Sequence, residues 1–136
     1  MFNKVIVLNM SLEKEETGSL KVAMDHALVL LETDPDLAAG QLQAILDAIP
    51  NHAPALLLLA TAKRRLGKPE AALEILEPLI ENHKYVSAAH FELGLTQAVL
   101  GRGDQAVLAL RRAVELNPKH PQAWRHLADH LMAIGD

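Results

Sequence analysis

A spacing of 34 residues governs this sequence. Gly67, Gly101 and Gly135 form one series at that interval, and Leu59, Leu93 and Leu127 form another. The small residues Ala60, Gly94 and Ala128 follow the leucines. Ala38, Ala72 and Ala106 make a fourth series, accompanied by Leu42, Leu76 and Leu110, and Ala55, Ala89 and Ala123 make a fifth. A fixed period in this range marks a repeat architecture, whose unit buries its apolar face only by stacking on its neighbours. Alanine and leucine coincidences carry little weight in a chain rich in both. The glycines make the case.

Each unit reads as a pair of helices. From residue 53 to 66 the apolar residues fall at helical spacing, and Gly67 follows where a left-handed cap suits glycine. Pro69 sits where a first helical turn tolerates proline, so a second helix is predicted over 69–82. The next unit repeats the scheme with a helix over 87–100, a Gly101-Arg102-Gly103 turn, and a helix over 104–116 that Asn117 and Pro118 stop. Pro121 opens a last helix with Trp124, Leu127 and Leu131 on one face. The alanines at 72 and 106, facing Ala60 and Gly94, predict close helix approach, because bulkier side chains there would force the pair apart.

Composition narrows the function classes. Half the residues are apolar, yet the aromatics are only Phe2, Tyr85, Phe91 and Trp124, so leucine and alanine must fill the core. The net charge is −4 and the thirteen Lys and Arg residues are scattered, so no basic face offers itself to nucleic acid. The absence of cysteine excludes disulfides, thiolate metal sites and cysteine nucleophiles, and it suits a reducing cytoplasm. The longest apolar stretch, residues 55–60, falls far short of the roughly twenty residues a membrane span needs. The apolar run near the start is too short for a signal peptide and lacks a small-residue cleavage site. A cytoplasmic protein without a membrane partner is expected.

These residues resemble the tetratricopeptide repeat (TPR) family, whose 34-residue unit favours Trp, Leu, Gly, Tyr, Ala, Phe, Ala and Pro at set positions. The unit of residues 87–120 matches with Leu93, Gly94, Ala106, Leu110, Ala113 and Pro118, and departs with His90 in the Trp position and Gln97 in the Tyr position. The unit of 53–86 matches with Leu59, Ala60, Ala72, Leu76 and Leu79 but carries Lys84 where proline is usual. The half unit of 121–136 supplies Trp124, Leu127 and Ala128. In the degenerate unit of 19–52 the second helix matches with Ala38, Leu42 and Pro50, while Asp25 and His26 are expected to break the first helix. The resemblance implies an all-α, right-handed α-solenoid of about seven antiparallel helices.

It also implies a binding surface, because in this family the first helix of each unit lines a concave wall. The matching positions are Leu57, Thr61, Arg64 and Arg65 in the first full unit, Phe91, Leu95 and Val99 in the second, and Arg125 and Asp129 in the final helix. An apolar strip flanked by arginines suits a protein or peptide segment with apolar anchors and an acidic group. The bland alternative has Phe91 and Leu95 packed internally and the arginines solvated. One subclass of the family clamps a C-terminal carboxylate with Lys and Asn. Leu57 and Thr61 stand at those places here, so chaperone-tail binding is not expected.

Catalytic candidates are lacking. His126 and His130 lie four apart on one helical face with His120 nearby, a spacing that can hold a metal. They lack the Glu of the metalloprotease motif and a third ligand, so they read as solvated or core-edge histidines. Asp34 before Pro35 reads as an N-cap, and Glu13, Glu15 and Glu16 as part of a polar tail. The Gly-Arg-Gly-Asp at 101–104 reads as a turn and not as a phosphate loop. No metal, cofactor or catalytic residue is expected.

Residues 1–18 stand apart from the repeat domain of 19–136. Val5, Ile6, Val7 and Leu8 are apolar and mostly β-branched, and a charged stretch follows, so the segment is expected to be flexible, to cap the first helix or to pair with another copy. The final helix carries Ala128 in the close-approach position and ends on Gly135-Asp136, which normally introduces a partner helix. The natural protein is therefore expected to continue. The segments 34–46, 50–67 and 88–106 also resemble the N-terminal repeat region of bacterial TPR-containing sulfotransferases. That resemblance implies, as an alternative to a free interaction scaffold, a regulatory or substrate-presenting region of a larger enzyme. A self-association module, giving a homo-oligomer, is the third reading.

Overall fold

The computed structural model describes the backbone of residues 2–135 and the side chains of residues 18–135. Seven helices follow one another: α1 (Phe2–Thr33), α2 (Pro35–Ala48), α3 (Ala53–Arg65), α4 (Pro69–Asn82), α5 (Ser87–Val99), α6 (Gly103–Leu116) and α7 (Pro121–Ala133). No strand occurs among the described residues. Prolines stand in the first turn of α2, α3, α4 and α7, where a missing N–H costs nothing. The backbone of the N-terminal segment belongs to α1. Its side chains, and with them the apolar run at 5–8, lie outside the described residues.

The glycine series closes the helices as the spacing predicts. Gly67, Gly101 and Gly135 have φ of +76°, +75° and +84°, a region that a Cβ disfavours. After Gly67 the Lys68 N–H donates to the carbonyl of Lys63, and after Gly101 the Arg102 N–H donates to that of Gln97, both at 2.9 Å. The same pair of reversed bonds thus ends α3 and α5, leaving α4 and α6 to run back along them.

The first hairpin departs from this plan. Position 33 is Thr33 instead of glycine, and α1 runs on to it, two residues past the position matching the end of α3. The turn into α2 is then a single residue, Asp34, whose side chain accepts from the Leu37 N–H at 3.2 Å. Asp34 is the N-cap that its place before Pro35 predicts. Asp25 and His26 do not break the helix. Both are exposed on its outer side, where polar residues are tolerated, and Asp25 lies 4.0 Å from Lys21 one turn away. Ala27 and Leu31 take the inward positions instead.

The repeat spacing also builds the core. Ala38, Ala72 and Ala106, with Leu42, Leu76 and Leu110 one turn on, are all fully buried, as are Ala55, Ala89 and Ala123. Burial of each leucine contributes roughly 2 kcal/mol, and the alanines let the helix axes close on one another. Among the glycines the tightest approach is at Gly94: a Cβ there would stand 2.7 Å from Leu110 Cγ and 3.4 Å from the Ala106 carbonyl. Each helix packs on the next. In addition α1 touches α3 and α3 touches α5, while among the described residues α1 and α2 make no extended contact with α5, α6 or α7. The helices therefore stack as an open solenoid, with α1, α3 and α5 side by side along one wall and α7 meeting α5 through His126 and Phe91.

Candidate functional site

The wall is held together by a polar network that crosses from one repeat to the next. Glu92 of α5 is buried, and its carboxylate reaches back to α3. Its Oε1 accepts from the Thr61 hydroxyl at 2.6 Å and lies 3.4 Å from Arg64 Nη2, while its Oε2 accepts from Arg64 Nε. Two nitrogens of one guanidinium thus face two oxygens of one carboxylate, the geometry that makes such pairs strong. The Arg64 side chain is itself only 18% exposed. A second link joins α3 to α1: Arg65 Nη1 donates to the Leu31 carbonyl at 3.0 Å and to Glu32 at 2.9 Å.

The other expected wall residues divide by depth. Leu57 is half-buried and closes a small apolar hollow with Pro54, Leu79, His83 and Val86. Phe91 is also half-buried and packs on the cluster around Val107, Leu110 and Leu127, so much of its ring belongs to the interior. Its ring meets His120 edge-on at 4.5 Å between centroids and His126 at 5.7 Å. Leu95 is half-buried, Val99 is 57% exposed, and Arg125 and Asp129 are exposed on α7. Met132 on the same helix is 78% exposed. Thr61 and Arg64 come together on Glu92, Arg64 also acts on His126 beside Phe91, and Arg65 lies toward α1.

Sequence reasoning missed Glu92 and His126 as members of the wall. The signal for Glu92 was a single carboxylate inside the apolar run from Ala88 to Leu95. His126 takes the core-edge position: it is half-buried against Phe91, and burial lowers its pKa from 6.5. The nearby positive charge of His130, Arg125 and Arg64 pushes the same way, against Asp129. The ring Nδ1 of His130 lies 2.8 Å from the His126 carbonyl, an intrahelical bond that turns this nitrogen away from any shared ligand. Among the described residues no group of three or more His, Asp or Glu side chains is placed to hold a metal.

The departures from the repeat consensus find local partners. His90, in the Trp position, has Nε2 2.9 Å from the Lys84 carbonyl, and buried Gln97, in the Tyr position, lies 3.4 Å from Arg102 Nη1. Trp124, at the consensus place in α7, donates Nε1–H to the Pro118 carbonyl at 2.7 Å yet remains 48% exposed. Ala128 beside it is exposed too, since among the described residues no helix follows to cover that side of α7.

The tetratricopeptide repeat family is matched twice in sequence, over residues 29–90 and over residues 87–130. The chain is a tetratricopeptide repeat array. Among solved structures it is similar to MamA from Desulfovibrio magneticus RS-1, at 21% identity and a TM-score of 0.73, over 84% of this chain and 65% of that one. The first TPR domain of Spaghetti (RPAP3), bound to the HSP90 peptide SRMEEVD, aligns at 20% identity and a TM-score of 0.75, over 85% of this chain and 92% of that one. An O-GlcNAc transferase mutant from Thermobaculum terrenum aligns at 22% identity and 0.79, over 85% of this chain but 22% of the transferase. At these identities the likeness is one of fold. No curated protein matches in sequence. No described helix of this TPR array is long and apolar enough to cross a membrane.

Proposed function

We propose that this TPR array is a protein–protein interaction scaffold, which holds a peptide or partner segment along the wall formed by α3, α5 and α7. The observation that carries the reading is the apolar surface left open on that wall. Val99 is 57% exposed and Met132 78% exposed, beside half-buried Leu57 and Leu95. Contiguous apolar surface left exposed marks interaction sites. The Spaghetti (RPAP3) domain, a fold neighbour, is itself bound to a peptide. The cysteine-free chain suits work in a reducing compartment such as the cytoplasm.

The test uses Val99→Glu with Arg125→Ala. Both side chains are exposed, so the fold should survive, whereas Phe91→Ala would also open the core. Native circular dichroism with partner capture reduced at least about tenfold supports the wall, since a central contact is worth about 1.4 kcal/mol or more. Unchanged capture by the folded variant rules it out. A second reading makes the repeats the presenting region of a larger enzyme. It is favoured by the transferase neighbour, only 22% of whose length is covered. A catalytic domain encoded after residue 136 would support that reading, and a stop codon there would remove it.

A further inference from the structure

The arginines of the wall decide what kind of guest it takes, and most of their charge is already engaged. Arg64 is held by both carboxylate oxygens of buried Glu92, with Thr61 bonded to the same group. An acidic ligand could recruit Arg64 only by displacing Glu92, which would leave a desolvated carboxylate without its cation. Arg65 is turned toward α1, bonded to Glu32 and the Leu31 carbonyl. Arg125 shares its exposed strip of α7 with Asp129 one turn away, so its field is offset. What remains open on the wall is aliphatic and thioether surface.

Resting on the interaction reading above, we propose that the wall takes an uncharged peptide segment with Leu-, Met- or Phe-type anchors, and turns away acidic segments, because Glu92 occupies the cation that an acid would need. Charge complementarity carries the choice: a near-neutral apolar surface gains little from a carboxylate and must desolvate it. Specificity then comes from repulsion as well as contact, with Glu92 acting against acidic competitors.

The experiment pans a phage-displayed library of random dodecapeptides on three proteins: the wild-type chain, Glu92→Gln, and Val99→Lys. The first variant frees Arg64. The second adds an unpaired cation at an exposed position, and so tests the charge argument even if the first proves poorly folded. The wild-type pool should be rich in Leu, Met and Phe and poor in Asp and Glu. At least one folded variant should bind acidic peptides about tenfold or more tightly than wild type does, as expected for a newly available charge contact. A wild-type pool rich in Asp and Glu would overturn this selectivity while leaving the groove in place. So would acid-poor pools on every folded protein. No enrichment on any of the three would remove the groove reading and this proposal together.

Discussion

The two halves of the inner wall are fastened differently. Between α1 and α3 the link is Arg65 to Glu32, whose side chain is 74% exposed; between α3 and α5 it is Arg64 to Glu92, whose side chain is 7% exposed. The hairpins behind them differ in the same sense. The α1–α2 pair turns through one capped aspartate, while the α5–α6 pair turns through a left-handed glycine and presses Gly94 onto Leu110. The N-terminal half is thus held mainly by apolar packing under a solvated ion pair. The C-terminal half adds desolvated polar bonds and a tighter helix contact, and every such bond there has its partner. Exposed Val99 thus lies on the helix that the buried ion pair fastens.

Removing one partner from each link should separate the halves most sharply. Glu92→Ala leaves Arg64 largely buried without its carboxylate and should cost about 2–4 kcal/mol of stability. Glu32→Ala removes a solvated partner and should cost less than about 1 kcal/mol. Urea unfolding of the two variants checks this, and equal losses would erase the distinction drawn between the links. The helix contacts give smaller individual effects, of opposite sign. Gly94→Val drives a branched side chain into Leu110 and should cost about 1–3 kcal/mol. Gly40→Ala in α2 meets no atom within 4 Å and should gain roughly 0.5–1 kcal/mol from reduced freedom of the unfolded chain. Thermal melts of both would show it, and a Gly94→Val protein as stable as wild type would mean that the hairpins are packed alike.

How much of this could be read from the sequence depended on how local the cause was. The turns at Gly67 and Gly101 and the buried alanines at 72 and 106 were legible, because each position accepts one kind of residue for a reason internal to its own hairpin. Asp34 was legible for the same reason. The first helix was misread at Asp25 and His26 because the 34-residue register was carried into a hairpin with no glycine at 33. The longer α1 turns a different face inward, with Ala27 and Leu31 buried. The Arg64–Glu92 pair was invisible because its members are 28 residues apart and meet only when one repeat stacks on the next. Charges assigned to a groove one by one therefore came out as free cations, although Arg64 and Arg65 were already bound.

The smallest effect sharpens the comparison through His126, which places a titrating group on the C-terminal half of the wall. Burial against Phe91 lowers its pKa from 6.5, with His130, Arg125 and Arg64 adding to the shift, so the folded chain binds this proton less readily than the unfolded chain. Stability from the neutral ring is therefore fully present above pH 6.5. It declines below that as the unfolded state takes up the proton, and is gone once the pH has passed through the lower folded value. His126→Gln lacks the titration. Its stability should fall less steeply than that of wild type between pH 7 and 5, read as the difference between the two proteins so that shared carboxylate effects cancel. Parallel profiles would mean that the imidazole is as well hydrated in the wall as in the unfolded chain, and that the C-terminal half owes its tightness to Glu92 and Gly94 alone.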